Sequence, residues 1–189
     1  SPVYARLMST NVSLTYEGQS GQRYCYTYSE DADFNGDGQK GNSLMYIPTV
    51  NEIGYMSWAS AEDAQKFENF IRSDSYLSSH RGQYSERNAG IAPFEHHFDL
   101  HVSQNFIYDK KNNRKVELML DVKNISNMFN RAWGLYYGAA YNRSPLKVTD
   151  VTKVGDGYVP TYKWYGQTAV TLSDFYSRWR CQLGLRLTF

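Results

Sequence analysis

FYSRWRCQLGLRLTF, residues 175–189, is the stretch on which the fold class turns. Its odd positions read Phe175, Ser177, Trp179, Cys181, Leu183, Leu185, Leu187 and Phe189, and its even positions Tyr176, Arg178, Arg180, Gln182, Gly184, Arg186 and Thr188. Alternation with a period of two marks a strand with one oily and one wet face. Strands in soluble sheets usually run to about five or six residues, so an alternation this long is unusual there. Three arginines turned into a soluble sandwich would be costly to bury unless all were paired. On a membrane barrel the same arginines line a wet lumen while the oily row meets hydrocarbon. The barrel reading is preferred.

Working outward, residues 94–108 repeat the pattern: Phe94, Phe98, Leu100, Val102, Phe106 and Tyr108 alternate with Glu95, His97, Asp99, His101, Ser103 and Asn105. The polar run DKKNNR (109–114) then leads into a third strand at 115–124. There Val116, Leu118, Leu120 and Val122 oppose Lys115, Glu117, Asp121 and Lys123, with Met119 out of pattern. Two long strands on a short turn predict a hairpin. A weaker first strand, about 3–16, sets Met8, Val12, Leu14 and Tyr16 against Ser9, Asn11, Ser13 and Thr15, with a continuation through Tyr24, Tyr26 and Tyr28 left open. Two long connections remain, about 17–93 and 125–174. The first carries a predicted amphipathic helix capped by Ser60, with Asp63 three residues on and Ala64, Phe67, Phe70 and Ile71 on one face.

The expected fold is therefore all-β: the strands of a transmembrane antiparallel barrel, with short turns in the periplasm and long loops outside the cell. The last strand follows a long loop, which puts the C-terminus in the periplasm. Tyr16, Phe94, Tyr108, Trp164, Tyr165, Phe175 and Phe189 near strand ends are read as interfacial girdles. Four strands cannot close, because the smallest membrane barrels have about eight and an open edge in lipid leaves backbone groups unpaired. The chain is thus expected to be one segment of a larger barrel.

Composition agrees. Aromatics are 16%, with 17 tyrosines, yet the mean hydropathy is −0.61, as strands with one wet face and polar loops produce. No apolar run reaches the roughly 18 residues a spanning helix needs. A net charge of +1 gives no reason to expect nucleic acid. Cys25 and Cys181 form no disulfide framework, and Cys181 reads as a small hydrophobe on the oily face.

Several strings resemble the TonB-dependent outer-membrane transporters of the Bacteroidetes, in particular the Oar-like receptors with a carboxypeptidase-regulatory-like N-terminal domain. They are YEGQSGQRYCYTYSEDADFNGDGQKGNSLMYIP (16–48), HRGQYSERNAGIAPFEHHFDLHVSQNF (80–106) and LMLDVKNISNMFNRAWG (118–134). NMFN at 127–130 resembles the run that closes the penultimate strand of these receptors. Leu183, Leu185, Leu187 and terminal Phe189 resemble the signal read by the barrel-assembly machinery. The resemblance implies a barrel of about 22 strands, of which these are the last four. It also implies an upstream plug that contacts TonB, and uptake of a large substrate such as a siderophore, glycan or peptide. Expected partners are the remaining barrel and plug, outer-membrane lipid and a candidate surface lipoprotein.

Candidate sites follow from residue type and spacing. Asp31, Asp33, Asn35, Gly36 and Asp37 resemble the start of a calcium loop, but Asn42 stands where a bidentate glutamate belongs. A polar Asx/Gly turn is the favoured reading, with calcium as the one cofactor the spacing suggests. His97, Asp99 and His101 share a strand face at a spacing that suits a metal or proton relay, although pairing with Arg178, Arg180 or Arg186 is preferred. With Glu95 these are the expected lumen-facing residues. Trp58, Trp133, Tyr136, Tyr137 and Trp164 could stack on a sugar or peptide, although packing roles account for most loop aromatics. No nucleophile elbow, phosphate loop or zinc pattern occurs, so no enzyme is expected. The rival reading is a secreted, calcium-stabilised, carbohydrate-binding β-sandwich.

Overall fold

A computed structural model describes residues 8–29, 33–109, 111–112, 114–166 and 169–189. Strand accounts for 49% and helix for 19%, so the chain is mostly β as its alternation requires. Among the described residues no helix is long and apolar enough to cross a membrane. The chain divides into two compact units, each assembled from separated stretches. One holds residues up to Ser20 with Pro93–Tyr137 and Leu172–Phe189; the other holds Gly21–Ala92 and Gly138–Thr171.

The first unit is a four-stranded antiparallel sheet. Its strands are β1 (Met8–Gln19), β2 (Glu95–Asp109), β3 (Arg114–Lys123) and β4 (Arg180–Thr188), adjacent in that order. The β2–β3 turn is organised by Asp109, whose Oδ1 accepts hydrogen bonds from the N–H groups of Lys111 (3.0 Å) and Asn112 (3.2 Å). The register sets the apolar residues in rows across the strands: Leu14–Leu100–Val122–Cys181, Val12–Val102–Leu120–Leu183, Met8–Phe106–Val116–Leu187, with Tyr16–Phe98 at one end. Apart from buried Val122, these rows are not a protein core. Leu183 is 81% exposed, Leu187 50%, and Val12 and Leu14 62% each.

One row on the oily face is mixed, Thr10–Gln104–Leu118–Leu185, and its polar atoms are satisfied within the sheet. Thr10 Oγ1 donates to Gln104 Oε1, and Gln104 Nε2 donates to the carbonyls of Ser9 (3.2 Å) and Asn105 (3.1 Å). On the opposite face Met119, out of pattern in sequence, lies beside Gly184, where an added Cβ would meet Met119 Cε at 3.1 Å. The methionine fills the space the glycine leaves.

The last strand is shorter than its alternation suggests. Residues Asp174–Ser177 form a helical turn, so Phe175, Tyr176 and Arg178 lie before β4. Asp174 pairs with Arg178 one turn later, and Ser177 donates to the Ser173 carbonyl, which together favour the turn over extended backbone.

The second unit corrects the picture of two open loops with one helix. Both stretches join in shared sheets: Arg23–Tyr26 pairs in parallel with Asn142–Arg143, and Gly157–Trp164 pairs in parallel with Ser57–Trp58. Tyr24, Tyr26 and Tyr28 do not extend β1. All three are buried in this unit's own core with Met45, Ile47, Phe67, Ile71, Leu77 and Leu146. The helix Ala61–Ser73 forms where the 3.6-residue pattern puts it, with Phe67, Phe70 and Ile71 buried. Ser60 Oγ accepts the Asp63 N–H (3.2 Å) and donates to Asp63 Oδ2 (2.7 Å), while Asp63 Oδ1 accepts the Trp164 N–H (3.0 Å). One aspartate thus ties a helix start to a distant strand. The bond from Ser60 holds the Asp63 carboxyl below its ordinary value, and the Trp164 N–H acts in the same direction.

Candidate functional site

The polar face of the sheet is densely charged. Alternation places Glu17, His97, Asp99, His101, Asp121, Lys123, Arg180 and Arg186 on it, and cross-strand register decides who meets whom. Lys123 Nζ lies 2.7 Å from Asp99 Oδ2, His101 Nδ1 2.7 Å from Asp121 Oδ1, and Arg186 Nη1 3.1 Å from Glu117 Oε2. His97 Nε2 is 3.7 Å from Glu95 Oε2. The expected pairing of His97, Asp99 and His101 with Arg178, Arg180 and Arg186 is therefore not what forms. Register partners on β3 reach Asp99 and His101 first, His97 lies nearest Glu95 of its own strand, and Arg178 is held by Asp174 before β4 starts. The result is a ladder of short-range pairs.

An open cleft of about 860 Å³ runs along one end of this face, lined by Glu17, His97, Asp99, Lys123 and Arg180 among others. Glu95 belongs to the same parity but is buried. It accepts hydrogen bonds from Gln19 Nε2 (2.9 Å) and from the Tyr137 N–H (2.8 Å), which makes it an anchor for strand ends. Chemically the face can order water and weakly sort ions of either sign. Among the described residues no group of three His, Cys, Asp or Glu is placed to hold a metal.

A knot of asparagines closes the same end of β3. Asn124 is left-handed (φ 54°, ψ 50°) and 5% exposed. Its N–H donates to Asp99 Oδ1 (2.8 Å), and its Nδ2 donates to the carbonyls of Gly134 and Ser177, both at 2.7 Å. Gly134 (φ +62°) is required here, since a Cβ would fall 1.8 Å from Asn124 Oδ1. Asn127 Nδ2 donates to the Arg131 and Trp133 carbonyls, and Asn130 Oδ1 accepts the Ala132 N–H. The NMFN run at 127–130 therefore folds the chain back on itself after the strand. Sequence reasoning located the run but missed Asn124, whose signal is an asparagine at the junction of an alternating stretch and a short helical turn.

No family model, no curated protein and no solved structure matches this chain. Its chemistry has to be read from its own geometry.

The loop aromatics separate. Trp58 and Trp164 are packing residues: Trp58 Nε1 donates to the Ile53 carbonyl (2.9 Å), and both rings lie against Phe67. Trp164 is accordingly not a girdle residue. Tyr136 packs on Tyr176 (5.4 Å between centroids), whereas Trp133 is exposed and, with Tyr137, lines a groove beside Phe94 and Phe98.

Asp33, Asn35, Asp37 and Asn42 come together in one turn; Asp31 lies outside the described residues. Asp33 accepts the N–H groups of Gly36 (2.8 Å) and Gly38 (3.0 Å), and Asp37 Oδ2 accepts Nδ2 of Asn42 (2.7 Å) and of Asn35 (2.9 Å). The Gln39 N–H and then the Asn42 amide hold the Asp37 carboxyl below its ordinary value. Gly36, Gly38 and Gly41 all have positive φ, which the tight path requires.

Within the second unit, Asp74 organises a half-buried polar cluster that the sequence did not reveal. Its Oδ1 accepts the N–H groups of Tyr76 and Leu77, and its Oδ2 accepts the Tyr26 hydroxyl and lies 3.7 Å from Arg143. Arg143 in turn lies over the Phe70 ring at 4.4 Å. Burial first, and then Asp74, pushes the Tyr26 phenol far above its ordinary value.

Proposed function

We propose that β1–β4 form a membrane-spanning wall segment of an outer-membrane barrel, four adjacent strands of a TonB-dependent transporter that imports a large substrate. One observation carries the reading: a sheet with polar side chains paired across the strands on one face and rows of largely exposed apolar side chains on the other. A water-surrounded sheet loses stability by leaving such rows bare, since soluble monomers seldom expose more than a few hundred Å² of continuous apolar surface. From Tyr16 to Met8 the oily face rises about 27 Å at ~3.4 Å per residue, and a strand tilt near 40° shortens this to about 21 Å. That approaches the roughly 25 Å apolar band of outer-membrane barrels. The in-sheet satisfaction of Gln104 also suits hydrocarbon, where no water could replace a missing bond.

Topology supports the orientation. The short β2–β3 turn leaves one end of the sheet, and both long excursions leave the other. The first end is assigned to the periplasm and the end from which the long connections leave to the extracellular side. TonB and the assembly machinery would act through the rest of the barrel and its termini. A secreted sandwich would instead bury these same rows against a second sheet. An epitope inserted at Gly155–Asp156 should be reached by antibody on intact cells, and one in the β2–β3 turn only after permeabilisation. Recovery of the protein in a soluble fraction, or the reverse labelling, would reject the proposal.

A further inference from the structure

The segment after β3 has a recess on each side, with Leu135 lining both. On one flank, an apolar groove of about 280 Å³ lies among Phe94, Phe98, Trp133 and Tyr137. It continues the oily face of the sheet, since Phe94 and Phe98 share parity with Leu100 and Val102. Its floor is fixed: the Tyr16 hydroxyl and His96 Nδ1 are 2.9 Å apart, and the Tyr16 and Phe98 rings are 4.9 Å apart. On the other flank, a recess of about 580 Å³ is lined by Arg131, Arg178, Met128, Leu172 and Trp179. Arg178 is committed to Asp174, but Arg131 is exposed and has no side-chain partner among the described residues.

We propose that this pair of recesses binds one anionic bilayer lipid, with an acyl chain in the Phe94–Trp133 groove and its phosphate on Arg131. Two features select this occupant. The groove is continuous with the surface assigned to hydrocarbon, so a chain reaches it without leaving an apolar environment. Arg131 directly precedes Ala132 and Trp133, which line the groove, and guanidinium matches phosphate geometry by bidentate hydrogen bonding. The site rests on the wall reading above.

The test uses the intact protein extracted in mild detergent and analysed by native mass spectrometry with phosphatidylglycerol and phosphatidylcholine of identical chains. Retention of one phosphatidylglycerol is expected at least fivefold over phosphatidylcholine. Arg131→Gln should erase the preference, Arg131→Lys should keep most of it, and Trp133→Ala should weaken retention of both lipids. A parallel spin label at position 185, in vesicles, reports whether the sheet sits in hydrocarbon. If it does and Arg131→Gln leaves the preference intact, the lipid site is wrong while the wall stands. A label in water overturns both, and retention of a second copy of the chain in place of lipid overturns the site.

Discussion

Replacing Asn124 by alanine tests the closing knot quantitatively. The change removes two buried hydrogen bonds at 2.7 Å, to the Gly134 and Ser177 carbonyls, and leaves both acceptors without that donor. Each costs about 1 kcal/mol at the low end of the range for a buried group losing its partner. Alanine held at φ 54° costs about 1 kcal/mol more than asparagine, which tolerates the left-handed region. The sum, roughly 3 kcal/mol, corresponds to about a hundredfold rise in the open population of the segment. Arg131 lies inside the knot, so limited trypsinolysis reads that opening directly when reclosure outpaces cleavage. Cleavage after Arg131 should accelerate on the order of a hundredfold in Asn124→Ala. A change of twofold or less would show that the asparagine contacts do not hold the segment.

Other predictions concern the second unit. Phe67→Ala should destabilise it by about 3–5 kcal/mol, as loss of a fully buried ring does, visible as lost hydrogen-exchange protection in the helix Ala61–Ser73 with the β-sheet amides unchanged. Tyr26 and Tyr28 ionise only far above the ordinary value of 10.0, chiefly because of burial, and Tyr162 is shifted the same way. Their raised folded values contribute stability that is complete below pH 10 and is lost as pH climbs through the folded values. Absorbance at a tyrosinate wavelength should therefore lag behind model tyrosine and then rise together with unfolding; simple titration at the ordinary value contradicts the buried core. Asp63 has the opposite sign. Its stabilisation is present above the ordinary value of 3.8 and is lost as pH falls through its lower folded value, so Asp63→Asn should flatten the acid limb of the melting curve. Finally, Asp33→Ala should speed exchange of the Gly36 and Gly38 amides. Calcium, if it organises this turn, should slow their exchange in the parent protein alone, and an identical calcium response in the variant removes the site.

What the sequence made legible is what obeys a short period. The four sheet strands follow from alternation, and the helix at 61–73 from Ser60 and its 3.6-residue apolar stripe, because these patterns are local. Tyr24, Tyr26 and Tyr28 also alternate, yet alternation does not say which sheet a strand joins, and these three pack into a core made with distant Leu146 and Phe67. The hairpin Leu146–Val154/Gly157–Trp164 falls where the sequence predicts a loop, despite its Gly155–Asp156 turn and flanking valines; Pro160 and a bulge near Val148 blur its period. Thr49 and Glu52 form a complete capping box whose Thr-x-x-Glu spacing was likewise visible. Charge partners were the least legible. Asp99 finds Lys123, and His101 finds Asp121, only once the β2–β3 register is set, and the turn chemistry of Asp109 and its bulge fixes that register.

The most direct test of the wall is a series of single spin labels at positions 181 to 188, in the intact protein reconstituted into vesicles. Oxygen, which partitions into hydrocarbon, should collide most with labels at 181, 183, 185 and 187. A water-soluble nickel reagent should favour 182, 184, 186 and 188, giving two period-two profiles in antiphase. Uniform access of the nickel reagent to all eight positions, or an oily row shielded from both reagents by protein, would contradict the account.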